Sequence, residues 1–169
     1  IESGGVLHHM DDPMAGWKVL TDCLNTGGFM RIGLYSESAR KHIVQIRDEI
    51  EQSNIESSHD AMKSFRNEIV SSEEEHHKRI ASSSDFYSMS TFRDLLFHVQ
   101  EHRFTIPQIE ASLAQLGLVF CGFENREAVQ KFKLENSMEN ALYNFEEWDK
   151  FEKENPRVFG GMYQFWCQK

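Results

Sequence analysis

Apolar positions along this 169-residue chain switch between helical spacing of three to four and strand-like alternation, and the switches lay out its elements. Asp12-Pro13 opens the first helix, because Asp accepts bonds from first-turn N–H groups and Pro at the first position gives up a donor that has no helical partner. Met14, Trp17, Val19, Leu20 and Leu24 follow, and Gly27-Gly28 supplies the break before a strand over 29–35. An α-then-β unit normally belongs to a right-handed crossover that needs a preceding parallel strand, for which only Ile1 to Val6 is available. Ala39, Ile43, Ile46 and Ile50 then mark an amphipathic helix within 37–53. A second begins near Asp60 with Met62, Phe65 and Ile69, and Glu73-Glu74-Glu75 opens a short third before Ser82-Ser83-Ser84.

Ser90 or Thr91 is expected to cap a short helix through Phe92, Leu95, Leu96 and Val99, and Thr105 to cap another through Ile109, Leu113 and Leu116 to Gly117. A strand follows over 118–123. Helical stretches at Ala128, Val129 and Phe132 and at Leu142, Phe145, Trp148 and Phe151, stopped by Pro156, precede a last aromatic strand over 162–168. The order α-β-ααα-αα-β-αα-β predicts a small two- or three-layered α/β body, one domain over 1–169 with a helical insertion at about 38–84.

Composition narrows the setting. The net charge of −9, from 18 Lys and Arg against 27 Asp and Glu, argues against a nonspecific nucleic-acid or anionic-membrane surface, since both need clustered cations. Cys23, Cys121 and Cys167 are far apart and unpatterned, which predicts buried thiols in a reducing compartment. With no cationic-then-apolar leader and no long apolar run, the expected location is cytoplasmic.

Several stretches carry a resemblance. Gly5-Val6-Leu7-His8-His9-Met10-Asp11-Asp12-Pro13, Gly16 to Leu20 and Arg31 to Glu37 are followed by Asp85 to Ser88, Arg93 to Thr105, Leu118 to Glu124 and Gly161 to Cys167. In this order they resemble the downstream half of class I S-adenosylmethionine (SAM) methyltransferase domains, of the bacterial type often linked to tetratricopeptide repeats. The resemblance implies a partial Rossmann-like sheet whose strands stand in the order fifth, seventh, sixth, the seventh being antiparallel. It also implies that the helical insertion contributes to substrate choice.

SAM is the cofactor that the resemblance implies. Backbone around Ser3, Gly4, Gly5 and Val6 would border its methionine part, with His8 and His9 at the cleft mouth; the plainer reading has Val6 and Leu7 anchoring a turn that the histidines cap. Tyr35, Ser36 and Tyr87 are candidate substrate contacts beside Glu37, with packing or helix capping as the alternative. No catalytic residue is assigned. A strand-glycine-helix element for the cofactor and an acidic residue for its ribose are not found in these residues. The expected function is therefore the substrate-side half of a methyltransferase, inactive by itself and binding no cofactor alone, with the start of the run at residue 5 read as the mark of a cut. The alternative is an interaction module that forms a homo-oligomer through an exposed fifth-strand edge.

One histidine segment fits a metal-site pattern and another does not. His98-Val99-Gln100-Glu101-His102 fits H-x-x-E-H, which on a helix presents two imidazoles and a base, but the five-residue match lacks an evident third ligand, Glu135 and Glu139 being the distant options. A metal hydrolase is the weaker alternative, and no metal ligand is assigned. His76-His77, after three glutamates, reads as a solvated face.

Overall fold

The computed structural model describes residues 1–98 and 100–169. It divides into two compact units, one built from Ile1–Ala39 with Gln100–Lys169 and the other from Arg40–Val99.

The first unit is built on strands β1 (Glu2–Gly4), β2 (Phe29–Tyr35), β3 (Val119–Phe123) and β4 (Met162–Gln168), in the order β1-β2-β4-β3. β1 runs parallel to β2, and β4 is antiparallel to both β2 and β3. The fifth, seventh, sixth order of the sequence reading is thus the observed order of β2, β4 and β3. The short segment before the first helix supplies the parallel neighbour that the crossover needs. Consequently the edge expected on the fifth strand is not open along its length. Glu2, Ser3 and Gly4 pair with Arg31, Ile32 and Gly33, and the outer edge passes to β1.

Alternation along β2 and β4 decides which face is covered. Met30, Ile32 and Leu34 lie opposite Cys167, Phe165 and Tyr163, and all six side chains are fully buried. Their core includes side chains of α1 (Pro13–Cys23), α6 (Ile106–Leu116), α7 (Arg126–Glu135) and α8 (Phe145–Glu154). Trp148 stacks on Phe132 with ring centroids 3.9 Å apart and meets Phe123 edge-on at 5.0 Å. Such aromatic pairs add about 0.5–1.5 kcal/mol each beyond the area they bury.

The other face is more polar. There the Arg31 guanidinium donates to Glu124 after β3, to Glu2 in β1 and to Gln164 in β4, at 2.5, 2.6 and 3.4 Å. One side chain on β2 therefore bridges all the other strands or their ends.

Helix ends follow their local chemistry. Asp12 caps α1 through the N–H groups of Met14 and Ala15, with Pro13 at the first position. Thr105 and Gln108 form a reciprocal capping box on α6, and Gly117 closes that helix at φ 66°, a left-handed conformation in which a side chain is costly. The cysteines differ from expectation: Cys167 is buried, Cys121 half-buried in the bulge between Phe120 and Gly122, and Cys23 exposed. Cys23 ends an amphipathic helix on its outer side, which apolar neighbours in sequence do not reveal.

The second unit contains α2 (Lys41–Gln52), α3 (His59–Ser71), α4 (Glu75–Ala81) and α5 (Met89–Leu96). Ile43, Ile46, Met62, Phe65, Ile69, Ile80, Phe86, Phe92 and Leu96 make its core. The unit extends past the expected end at 84 because Phe86, Phe92 and Leu96 complete that core. α5 starts after Ser88, two or three residues earlier than a Ser90 or Thr91 cap predicts. Val99, placed on this helix by periodicity, lies outside the described residues. Among the described residues no helix is long and apolar enough to cross a membrane.

Candidate functional site

The parallel strands β1 and β2 end at the same sheet edge, where open α/β sheets place their ligands. Gly4 pairs with Gly33, and a Cβ on Gly33 would stand 3.1 Å from the Gly4 Cα and 3.0 Å from Met162 Sδ. That close approach lets three residues of β1 seat against β2. The chain then turns at Gly5, with φ 75°, into a single 3-10 turn over Leu7–His9. Gly4 and Val6 are exposed and Ser3 is buried. Around Gly5 an added Cβ would meet nothing within 4 Å, so there is open space beside it.

His8 is fully buried and stacks on Tyr35, with centroids 3.7 Å apart and planes 21° from parallel. His9 meets His8 and Tyr35 edge-on at 4.5 and 5.6 Å, and its Nδ1 donates to the Gln100 carbonyl at 3.2 Å. The main chain of 100–104 completes this corner. His102 N–H donates to the His8 carbonyl at 2.8 Å, Phe104 N–H to the Tyr35 carbonyl at 2.8 Å and Glu37 N–H to the Phe104 carbonyl at 2.9 Å. Gln100 Nε2 lies 3.4 Å from His102 Nε2.

The structure thus gathers Ser3, Gly4, Gly5, Val6, His8, His9, Tyr35 and Ser36 within one unit, at the ends of β1 and β2. Tyr87 belongs to the helical unit and is exposed. Ser36 points inward. It is fully buried, accepts from Ala39 N–H at 3.1 Å and donates to Glu152 Oε1 at 2.9 Å, while the Tyr163 hydroxyl donates to the same carboxylate at 2.8 Å. In this arrangement Ser36 and Tyr163 anchor a buried Glu152 beneath the edge, and the capping alternative describes Ser36 better than a substrate contact does.

Glu152, Gln100 and His102 are site residues that the sequence reading did not select. Glu152 lies on α8, far along the chain, where its charge reads as surface; only its neighbour Phe151 in the apolar stripe hints at burial. The H-x-x-E-H segment has no helix under its second half, since α5 ends at Leu96 and the described residues from His98 to Arg103 are not helical. The one-turn spacing that would point both imidazoles at one ion is therefore missing, and His102 instead joins the corner around His8. The third histidine group departs furthest from expectation. His76 and His77 are not a solvated face, with side chains only 17% and 12% exposed and both directed at Glu49.

No family model matches the sequence. An uncharacterized protein of Synechococcus sp., syc1184_c, is 26% identical over 156 residues, which cover 88% of this chain and 37% of that protein. Among solved structures, PKMT2 from Rickettsia typhi matches 99% of this chain with 34% of its own, at a TM-score of 0.65 and 13% identity. PKMT2 in complex with AdoHcy matches 99% with 35%, at a TM-score of 0.66 and 14% identity. The chain spans about a third of the length of these proteins. The likeness shows that this chain shares its α/β fold, with a four-stranded mixed sheet, with part of the PKMT2 structures.

Proposed function

We propose that these 169 residues are the substrate-side portion of a class I SAM-dependent methyltransferase domain and that alone they do not transfer methyl groups. The observation that carries this reading is the reversed strand β4 set between β2 and β3, with β1 parallel on the far side of β2. The fold shared with PKMT2, one of whose structures holds AdoHcy, supports it.

The corner at the ends of β1 and β2 fits part of such a cofactor. Backbone at Gly4 and Gly5 and the imidazole of His9 would hold its amino-acid end, and SAM would supply an electrophilic methyl group there. Tyr35, stacked on His8, would orient what approaches. Transfer also needs the sulfonium and its acceptor held in line, since most of the rate comes from orientation. The glycine-rich turn and ribose carboxylate that would complete the grip are not found among these residues.

Titration of the 169-residue chain with AdoHcy tests both parts. Calorimetry is expected to show no micromolar binding, and micromolar heats would overturn the claim that this portion is insufficient. At millimolar AdoHcy, amide shifts are expected to move at Gly4, Gly5 and His9. Shifts confined to other residues would remove the methyltransferase reading itself.

A second reading, self-association, rests on the outer edge of β1, which has no strand partner among the described residues and is flanked by the exposed side chains of Ile1 and Val6. A free strand edge is a template for pairing with another chain. A homodimer is expected in light scattering at high protein concentration, and a strict monomer would eliminate it.

A further inference from the structure

We propose that Glu49, His76 and His77 form a binding site for a zinc-class divalent ion that ties α2 to α4. Glu49 projects from the last turn of α2, and the two histidines from the start of α4. His76 Nε2 lies 2.5 Å from Glu49 Oε1 and His77 Nε2 lies 2.7 Å from Glu49 Oε2, with the imidazole centroids 4.4 Å apart. The three candidate ligand atoms all fall within 4.8 Å of one another, the one such group of three among the described residues. Both imidazoles are largely covered, and Glu49 is 36% exposed. An ion would therefore have three protein ligands and a solvent-facing fourth position.

The donor set selects the metal. Two imidazole nitrogens and one carboxylate suit zinc, cobalt or nickel, whereas magnesium and calcium call for all-oxygen shells. Zinc sits about 2.0–2.2 Å from such ligands, so tetrahedral coordination separates them to about 3.3 Å. The ion replaces the proton on each Nε2, the neutral imidazole then carrying its one proton on Nδ1, and each nitrogen moves from its Glu49 oxygen by less than about 1 Å.

Affinity has a built-in limit. His77 Nδ1 is buried with no hydrogen-bond partner, so when Nε2 binds metal the ring proton at Nδ1 has no acceptor among the described residues. Supporting partners of this kind are worth about 10–100-fold in metal affinity. The site is accordingly weaker than a fully supported one, and it suits an ion that exchanges.

The full chain, stripped with chelator, is titrated with Zn²⁺ by calorimetry and with Co²⁺ by visible absorption. One equivalent of Zn²⁺, a rise in melting midpoint and a Co²⁺ ligand-field band are expected, with no response to Mg²⁺ or Ca²⁺. Glu49→Gln and, separately, His76→Asn with His77→Asn are each expected to weaken Zn²⁺ binding at least 10-fold while far-UV circular dichroism is retained. If the double variant does not fold, His76→Asn alone carries the comparison. Absence of stoichiometric Zn²⁺, or binding that survives these substitutions because other histidines hold the ion, overturns the proposal. Neither outcome bears on the AdoHcy titration, which reads the other unit.

Discussion

Tyr163 shows how much one hydroxyl on the core face contributes. It donates to both oxygens of Glu152, a carboxylate only 5% exposed, which Ser36 also bonds. Removing that hydroxyl takes a donor from a buried charged or polar group, a loss of about 1–3 kcal/mol. Tyr163→Phe is expected to lower the urea midpoint correspondingly, and an unchanged midpoint would mean that the carboxylate does not depend on this bond. The thiols provide a second residue-level prediction. Burial, then the neighbouring Cys121, pushes Cys167 up to about 12. In the native protein near neutral pH, iodoacetamide is expected to modify exposed Cys23 and to spare Cys167, as peptide mass mapping would show. At this scale the sequence was least legible. Burial of Glu152 depends on Ser36 and Tyr163 and that of the His76–His77 pair on Glu49, and neither charge nor local spacing encodes these contacts.

Elements were far more legible, because most of their signals are local. The Asp12-Pro13 start, the Thr105 cap, the Gly117 stop and the strands at 29–35 and 162–168 all stand where capping chemistry and periodicity put them. The α5 boundary moved because Ser88, Ser90 and Thr91 are equally good caps in isolation. β1 is the opposite case. Three residues carry no periodicity, and what makes them a strand is the partner, in particular the Gly4–Gly33 pairing. Gly33→Ala is expected to crowd Gly4 and Met162 at about 1–3 kcal/mol, the usual range for overpacking. Hydrogen exchange should accelerate first at Ser3 to Gly5 and leave β4 protected. Uniform acceleration across the sheet would show that β1 is not the element that yields.

For the whole molecule, the buried face of the sheet predicts a one-sided response to alkali. The raised Cys167 group and the raised Tyr163 hydroxyl, the latter held up by burial and then by the Glu152 charge, keep their protons in the native state after the unfolded chain has released them. Their stabilisation is complete below about pH 9 and is lost as pH climbs toward 12. The unfolding free energy is expected to be about 1–2 kcal/mol lower at pH 10 than at pH 8. Equal values from denaturant melts would contradict it. The broad architecture was legible because ordered segments spread over nearly the whole chain resembled one family, but the division into units was not. Its second boundary depends on Phe86, Phe92 and Leu96 joining the helical core, a choice made by packing.

The position of β4 also sets the order of assembly. It is the strand that joins β2 to β3, yet it follows both in the chain, with the whole helical unit intervening between β2 and β3. While the polypeptide emerges from the ribosome, Met30, Ile32 and Leu34 are made long before Cys167, Phe165 and Tyr163, which lie opposite them. Pairings of such long range form slowly, and waiting apolar strands invite the wrong neighbour. The nascent protein therefore carries an aggregation hazard until β4 has been synthesised.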